Sequence, residues 1–258
     1  MRNFAVVTKK SFRRRYRVLR FKYPNFRGGI YYMRQLKLSA FVVTVICVFA
    51  MSAGAVTADT RQDTDILSNT FYKIRCSIYE SMPRNEGGIV FLGDSLTDYI
   101  PFNELLPGLH VINRGIAGDN TLGVLNRLDE VISLKPSKLF LLIGTNDIVY
   151  NVSKDRLIGN IRTIIRRVKE GSPSTKIYIE TLMPTNPNFE TNRPNETINA
   201  INRSVIAVAE ETGCKLVDTN SHMAEDGILP LKYTVDGIHF NGAGIVRWVE
   251  FLEPFVKE

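Results

Sequence analysis

Four short polar segments of this chain carry residue types that together could transfer an acyl group. They are Gly93-Asp94-Ser95-Leu96, Gly115-Ile116-Ala117-Gly118-Asp119, Gly144-Thr145-Asn146-Asp147 and Asp236-Gly237-Ile238-His239. A serine hydroxyl such as that of Ser95 attacks a carbonyl only when a neighbouring base takes its proton. His239 is the candidate base, because Asp236 stands three residues earlier, where its carboxylate can orient the imidazole and stabilise the imidazolium.

Gly118 and Asn146 fit a third requirement of acyl transfer, the stabilisation of the oxyanion that forms on the tetrahedral intermediate. A glycine lets a backbone N–H approach the reacting carbon, and Asn146 offers a side-chain NH₂. Each residue alone has a simpler explanation: Ser95 as a helix cap, Gly118 and Asn146 as turn residues, and His239 as a structural histidine. Their occurrence together is what favours a serine hydrolase site.

Five short apolar runs predict the strands that must position these groups, and they cover 88–93, 110–114, 138–143, 176–182 and 215–218. Residues with helical spacing lie between them. One helical face holds Leu122, Leu125, Leu128, Val131 and Ile132, and another holds Leu157, Ile161, Ile164, Ile165 and Val168. Further helices are predicted over 195–212, stopped by Gly213, and after Asn241. This alternation predicts an α/β domain, a three-layer αβα sandwich around a five-stranded parallel sheet.

The four segments resemble, in their order and separation, the four sequence blocks of the GDSL (SGNH) esterases and lipases. The resemblance spans about 88–255 and implies the flavodoxin-like SGNH hydrolase fold. It implies that Ser95 is the nucleophile and that Asp236 and His239 complete its triad. It also implies an oxyanion hole formed by the backbone N–H groups of Ser95 and Gly118 and the side chain of Asn146. No metal or organic cofactor is implied.

The run 113–121 is most similar to the subgroup related to platelet-activating-factor acetylhydrolase and to bacterial carbohydrate acetylesterases. Asn120 departs from that subgroup, which commonly has threonine there, and we expect it to adjust a loop hydrogen bond without touching the chemistry. Two aspartates are expected to support the site. Asp94 would brace the nucleophile turn, and Asp147 would form a hydrogen bond within the loop that carries Asn146.

The formal net charge of +7 belongs to the beginning of the chain. Residues 1–58 hold 12 of the 33 basic residues and none of the 26 acidic ones, which leaves about −5 for residues 59–258. A basic surface for nucleic acid is therefore not expected on the folded body. Residues 1–58 are predicted to be a leader, and 59–258 the hydrolase domain.

A signal peptide is predicted from Met33, with an apolar run over 38–51 and a small-residue cleavage site before Asp59. The apolar run is shorter than the roughly 20 residues of a spanning helix, so we expect secretion or a periplasmic location without a membrane span. An uncleaved membrane anchor is the alternative. Residues 1–32 are read as a mis-called start or as a long basic region before the signal. Cys76 and Cys214 could form a disulfide or remain two free thiols.

The substrate is expected to be a small-molecule or carbohydrate ester. No amphipathic lid is evident, which disfavours a triglyceride lipase, and the loops near the predicted site are rich in polar residues: Asn120, Asn146, Thr185, Asn186, Asn188 and Asn192. An acetylesterase on carbohydrate is the first hypothesis, and a lysophospholipase or thioesterase is the second. A catalytically idle carbohydrate-binding module and a protein that binds membranes or nucleic acid through residues 1–32 are the alternatives from other classes.

Overall fold

The computed structural model describes residues 66–258, and a five-stranded parallel sheet lies at their centre. The strands are β1 (Ile89–Gly93), β2 (Val111–Gly115), β3 (Lys138–Leu142), β4 (Lys176–Glu180) and β5 (Lys215–Val217), in the order β2-β1-β3-β4-β5. The predicted α/β class and all five strands are confirmed. The predicted leader and signal peptide over residues 1–58 lie outside the described residues and stay predictions.

One face of the sheet is built from a row of stacked aromatic rings. Phe91, Phe140 and Tyr178 stand opposite one another in the register of β1, β3 and β4, with ring centroids 4.7 and 4.5 Å apart. Phe102 stacks on Phe91 at 4.0 Å, and Trp248 meets Phe102 edge-on. These contacts hold the short helix α3 (Phe102–Leu105) and the C-terminal helix α10 (Gly242–Lys257) on this face.

Helices α7 (Lys154–Gly171) and α8 (Asn195–Thr212) pack against each other, and the apolar residues of α7 face inward as predicted. Gly213 ends α8 as expected. The remaining helices are α1 (Thr70–Ser81), α2 (Ser95–Asp98), α4 (Thr121–Asn126), α5 (Leu128–Ser133), α6 (Thr145–Val149) and α9 (Thr219–Met223), with a 3-10 turn over Leu231–Tyr233. The strand residues that alternate with the aromatic row, such as Leu92, Leu139 and Ile179, are buried as well, so both faces of the sheet are covered, as the three-layer prediction requires.

The single helical face predicted around 122–132 is divided between two helices. The helices α4 and α5 meet at Arg127, whose backbone leaves helical geometry (φ −106°, ψ 10°). Its guanidinium turns inward to Asp119 and to the carbonyl of Gly93, at 2.8 and 3.1 Å. The apolar periodicity continues through this break, so the pattern alone predicted one continuous helix. None of the helices within residues 66–258 is long and apolar enough to span a bilayer.

Glu180, at the end of β4, is a buried carboxyl group that we expect to make stability depend on pH. It is 3% exposed and accepts a hydrogen bond from Trp248 Nε1 at 3.1 Å. Burial raises its pKa from 4.5 to about 8, despite the Trp248 contact. The folded state therefore binds more protons than the unfolded state between these values, and stability falls as the pH rises through this window.

We expect Glu180→Gln to remove this part of the pH dependence. The unfolding free energy of the variant minus that of the wild type should be roughly 2–4 kcal/mol larger at pH 9 than at pH 5. Urea denaturation at both pH values measures this difference. Glu250→Gln, an exposed change on α10, is the control and should shift stability by less than about 0.5 kcal/mol. An equal effect of Glu180→Gln at both pH values would contradict the prediction.

Candidate active site

The structure brings Ser95, His239 and Asp236 into one chain of contacts. Ser95 Oγ lies 2.9 Å from His239 Nε2, and His239 Nδ1 lies 2.6 Å from Asp236 Oδ2. With Nδ1 protonated and donating to the carboxylate, Nε2 is free to accept a proton from the serine. Serine and histidine are 144 residues apart in sequence, so the fold of the whole domain makes this contact.

Ser95 begins α2 directly after β1, and it is buried, with 8% of its surface exposed. Asp94 caps this helix, accepting a hydrogen bond from the backbone N–H of Leu96 at 3.0 Å. Burial raises the pKa of Asp94 to about 7. The helix lies against the end of β2, where a Cβ on Gly115 would stand 2.2 Å from the nitrogen of Asp98. Only glycine allows this approach.

Asp236 and His239 lie on a loop that is closed by its own hydrogen bonds. Thr234 and Phe240 pair as an antiparallel bridge, and Thr234 Oγ1 accepts from Gly237 N at 2.8 Å. The second carboxylate oxygen of Asp236 accepts from the backbone nitrogens of Ile238 and His239, at 3.0 and 2.8 Å. The three-residue spacing therefore lets one carboxylate hold both the ring and the backbone of His239.

The pKa of Asp236 lies below its ordinary value. Partial burial acts in the opposite direction, but the hydrogen bonds from the His239 side chain and from the backbone of His239 and Ile238 outweigh it. Asp236 is therefore ionised at neutral pH. An ionised carboxylate is the form that stabilises an imidazolium beside it.

The predicted oxyanion-hole residues follow the neighbouring strands. Gly93 of β1 is level with Gly115 of β2 and Leu142 of β3, so the segments after these strands begin at the same edge of the sheet. Gly118 has a φ of +82°, a conformation that favours glycine. The Nδ2 atom of Asn146 donates to the carbonyl of Asp119, the residue after Gly118, at 2.8 Å. Asn146 is thereby tied to the Gly118 turn.

Asp147 forms its side-chain hydrogen bonds with a different segment from the one predicted. Its two carboxylate oxygens accept from Thr121 Oγ1 and N, at 2.5 and 3.0 Å, so it joins the Asn146 loop to the start of α4. Burial raises its pKa to about 6. The sequence prediction placed this bond within its own loop. The order of the strands brings α4 close to Asp147, and the local sequence does not reveal that proximity. Asn120 caps α4 by accepting from Gly123 N at 2.9 Å, the kind of loop hydrogen bond expected of it.

Two residues near the site were missed by the sequence prediction. Arg193 donates to Asn146 Oδ1 at 2.7 Å, from the loop that follows β4. Tyr99 is 57% exposed, and its ring centroid lies 5.4 Å from that of His239. The loop over 183–194 holds four of the polar residues that the sequence analysis placed near the site, and Arg193 is its one basic residue. That was the signal available for Arg193, whereas Tyr99 stood in no recognisable pattern.

Cys76 and Cys214 are both free in the structure, which agrees with the free-thiol alternative. Within residues 66–258, no three His, Cys, Asp or Glu side chains cluster in a way that could hold a metal ion.

Comparison with known proteins places these features in a family. The sequence profile of the family described as GDSL-like Lipase/Acylhydrolase matches residues 91–245. Platelet-activating factor acetylhydrolase IB subunit alpha2 of Homo sapiens is 28% identical over 182 residues, which cover 67% of this chain and 77% of the relative. The 33%-identical match to the human alpha1 subunit covers 45% of this chain and 54% of that subunit.

Solved structures share the fold. A Streptococcus pneumoniae protein described as a platelet activating factor has a TM-score of 0.64 and 27% identity, covering 82% of this chain and 99% of that one. The acetylxylan esterase Axe2 of Geobacillus stearothermophilus has a TM-score of 0.55 and 22% identity, covering 68% and 97%, and shows the fold alone. With the family profile matching more than half of its length, this chain belongs to the GDSL-like lipase/acylhydrolase family.

Proposed function

We propose that this acylhydrolase cleaves carboxylic esters in two steps through an acyl-enzyme on Ser95. The observation that carries the proposal is the unbroken contact chain from Ser95 Oγ through His239 to Asp236, at 2.9 and 2.6 Å. His239 takes the serine proton as Oγ attacks the ester carbonyl, and it returns that proton to the departing alcohol. Water, activated by the same histidine, then attacks the acyl-enzyme and releases the acid.

Three donors would stabilise the oxyanion in both steps. They are the backbone N–H of Ser95, the backbone N–H of Gly118 and one hydrogen of the Asn146 amide. Asn146 Nδ2 carries two hydrogens and uses one for the carbonyl of Asp119, which leaves the second for the substrate. Prepositioned donors of this kind need no rearrangement as negative charge develops on the carbonyl oxygen, so they lower the barrier directly.

We propose short acyl groups, acetyl in particular, carried by a carbohydrate alcohol. Charged groups contact two residues of the proposed site: the Arg193 guanidinium contacts Asn146, and the Asp236 carboxylate contacts His239. A long acyl chain packed against such groups would leave them poorly solvated, at a cost in free energy. The human relative, whose name specifies an acetylhydrolase, also supports an acetyl substrate. The exposed ring of Tyr99 beside His239 offers a flat surface on which a sugar could stack.

A lysophospholipid or acyl-thioester substrate is the second candidate, favoured by exposed apolar side chains around the same loop. Val235, next to Asp236, is 62% exposed, and Phe189, whose ring packs beside Gly237, is 37% exposed. Together with Tyr99 these side chains would provide contacts for an aliphatic chain. The two candidates differ in acyl length and in the alcohol released, so activity measurements separate them.

A substrate panel with the purified protein tests both candidates. The panel contains p-nitrophenyl esters from acetyl to decanoyl, acetylated xylo-oligosaccharides, lysophospholipid and an acyl-thioester. We expect kcat/KM to fall by at least about 100-fold between acetyl and decanoyl esters. An ester whose acyl chain is too long for the site would lose several kcal/mol of transition-state binding. Ser95→Ala, measured beside the wild type, should abolish turnover of every substrate while the protein remains folded.

The panel also identifies the outcomes that would contradict the proposal. Preference for decanoyl esters or lysophospholipid would replace the acetylesterase hypothesis with the second candidate. Turnover that survives Ser95→Ala would refute the assignment of Ser95 as nucleophile. A folded wild type without activity on any ester would leave the carbohydrate-binding alternative, which binding to the same oligosaccharides can then test.

A further inference from the structure

Arg193 forms a fixed set of contacts behind Asn146. Its Nη2 donates to Asn146 Oδ1 at 2.7 Å, its Nη1 to the carbonyl of Thr191 at 2.7 Å and its Nε to the carbonyl of Thr145 at 3.3 Å. The guanidinium is half-buried. Three nitrogens directed at three different acceptors hold this planar group in one orientation, which a lysine with a single ammonium could not reproduce.

The contact with Arg193 determines which way the Asn146 amide faces. An arginine side chain carries donors only, so the oxygen of the Asn146 amide must face it and the NH₂ must point away. That NH₂ then donates to the carbonyl of Asp119 on the Gly118 turn. A reversed amide would present its oxygen to the developing oxyanion and repel it. Arg193 therefore excludes the orientation of Asn146 that would oppose catalysis.

The charge of Arg193 adds to this effect. The carboxylates of Asp94 and Asp236 are close enough to favour its charged form, although burial lowers its pKa. A positive charge on the amide oxygen side of Asn146 polarises the amide and makes its N–H a stronger donor, because hydrogen bonds strengthen one another in a low-dielectric site. This strengthening is greatest when the acceptor is negative, as in the transition state.

We propose that Arg193 is a positioning residue that acts through Asn146, an inference that rests on the esterase mechanism proposed above. It does not touch the reacting atoms. Its contribution is to fix and polarise the Asn146 amide, so it should appear in kcat and depend on the presence of Asn146. Its contacts with the carbonyls of Thr145 and Thr191 also tie the loop after β4 to the segment that carries Asn146.

A double-mutant cycle tests the proposal with p-nitrophenyl acetate. We expect Asn146→Ala to lower kcat by about 100- to 1000-fold, the usual effect of losing one oxyanion donor. Arg193→Met should lower kcat by about 10- to 100-fold with KM changed less than about threefold, because the lost interaction acts in the transition state. In the Asn146→Ala background, Arg193→Met should cost less than about threefold, because the amide through which it acts is gone.

Further variants keep the result unambiguous. Arg193→Lys retains the charge but not the three-way contact, so its kcat should lie between those of the wild type and Arg193→Met. If circular dichroism shows that Arg193→Met fails to fold, Arg193→Lys replaces it in the double-mutant cycle. Arg203→Met, an exposed change on α8, is the matched control and should leave kcat within about twofold.

Two results would overturn the inference. If Arg193→Met reduces kcat by the same factor with and without Asn146, the arginine acts independently of the amide. If it raises KM and leaves kcat unchanged, the arginine binds substrate in the ground state. Ser95→Ala separates these failures from a failure of the mechanism: activity in that variant refutes the proposed function, whereas an inactive Ser95→Ala with an additive cycle refutes only the role of Arg193.

Discussion

Replacing Asp236 with asparagine is expected to lower kcat by about 10⁴-fold without unfolding the protein. The reason lies in how Asp236 is held. Its Oδ1 accepts from the backbone nitrogens of Ile238 and His239, and an asparagine oxygen can keep both bonds. The asparagine NH₂ must then face His239 Nδ1, which becomes an acceptor, so the proton moves to Nε2. Histidine in that tautomer cannot accept the Ser95 proton.

Steady-state kinetics with p-nitrophenyl acetate measure this effect, and thermal unfolding of the variant shows whether the loop is intact. Asp226→Asn is the matched control, because it makes the same chemical change at an exposed loop position. It should leave kcat within about twofold. Asp236→Asn with kcat reduced less than about tenfold would show that the carboxylate does not set the tautomer of His239, and the mechanism would then need another orienting group.

Much of this site was predictable because three of its groups follow strands of a parallel sheet. Ser95, Gly118 and Asn146 come after apolar runs, and the carboxyl ends of parallel strands lie at one edge. The register of Gly93 with Gly115 and Leu142 realises that expectation. The pair Asp236 and His239 was recognisable from its short spacing. Local patterns of this kind can be recognised without knowledge of the tertiary structure.

The contacts that were not predicted join segments far apart in sequence. Arg193 meets Asn146 across 47 residues, and Asp147 meets Thr121 across 26. Polar pairs between loops leave no periodicity, since neither partner needs a particular neighbour along the chain. The break between α4 and α5 has the same origin: Arg127 turns inward because Asp119 and Gly93 lie beneath it, while the apolar pattern around it continues unchanged.

Three buried aspartates lie beneath the site, so the groups that stabilise their carboxylates in the interior are important. Asp94, Asp119 and Asp147 are each at most 1% exposed, and burial raises their pKa values to about 7, 6 and 6. Asp119 is stabilised by Arg127, whose Nε donates to its Oδ2 at 2.8 Å, and by the backbone N–H of Asn120 at 2.9 Å. Its carbonyl also accepts from Asn146. Asp119 therefore links the Arg127 ion pair to the proposed oxyanion hole.

Arg127→Met is accordingly expected to lower the unfolding free energy by about 3–5 kcal/mol at pH 8, the usual cost of leaving one buried charge without its partner. The side chains of Arg127 and Asp119 are 3% and 0% exposed, so water cannot replace the lost contact. Arg127 lowers the pKa of Asp119, and its removal raises that pKa further. The variant then binds more protons when folded, so the loss of stability should be smaller at pH 5 than at pH 8.

Urea denaturation of a double-mutant cycle with Asp119→Asn measures the pair directly. The double variant should lose at least about 2 kcal/mol less than the sum of the two single changes, because it leaves no unpaired charge in the interior. Arg162→Met removes an exposed ion pair with Glu211 and should cost less than about 1 kcal/mol. Strict additivity, or equal losses at pH 5 and pH 8, would mean that Asp119 is solvated once Arg127 is gone. The buried pair would then be a consequence of the packing around Gly93, and the site above it would not depend on the charge of Arg127.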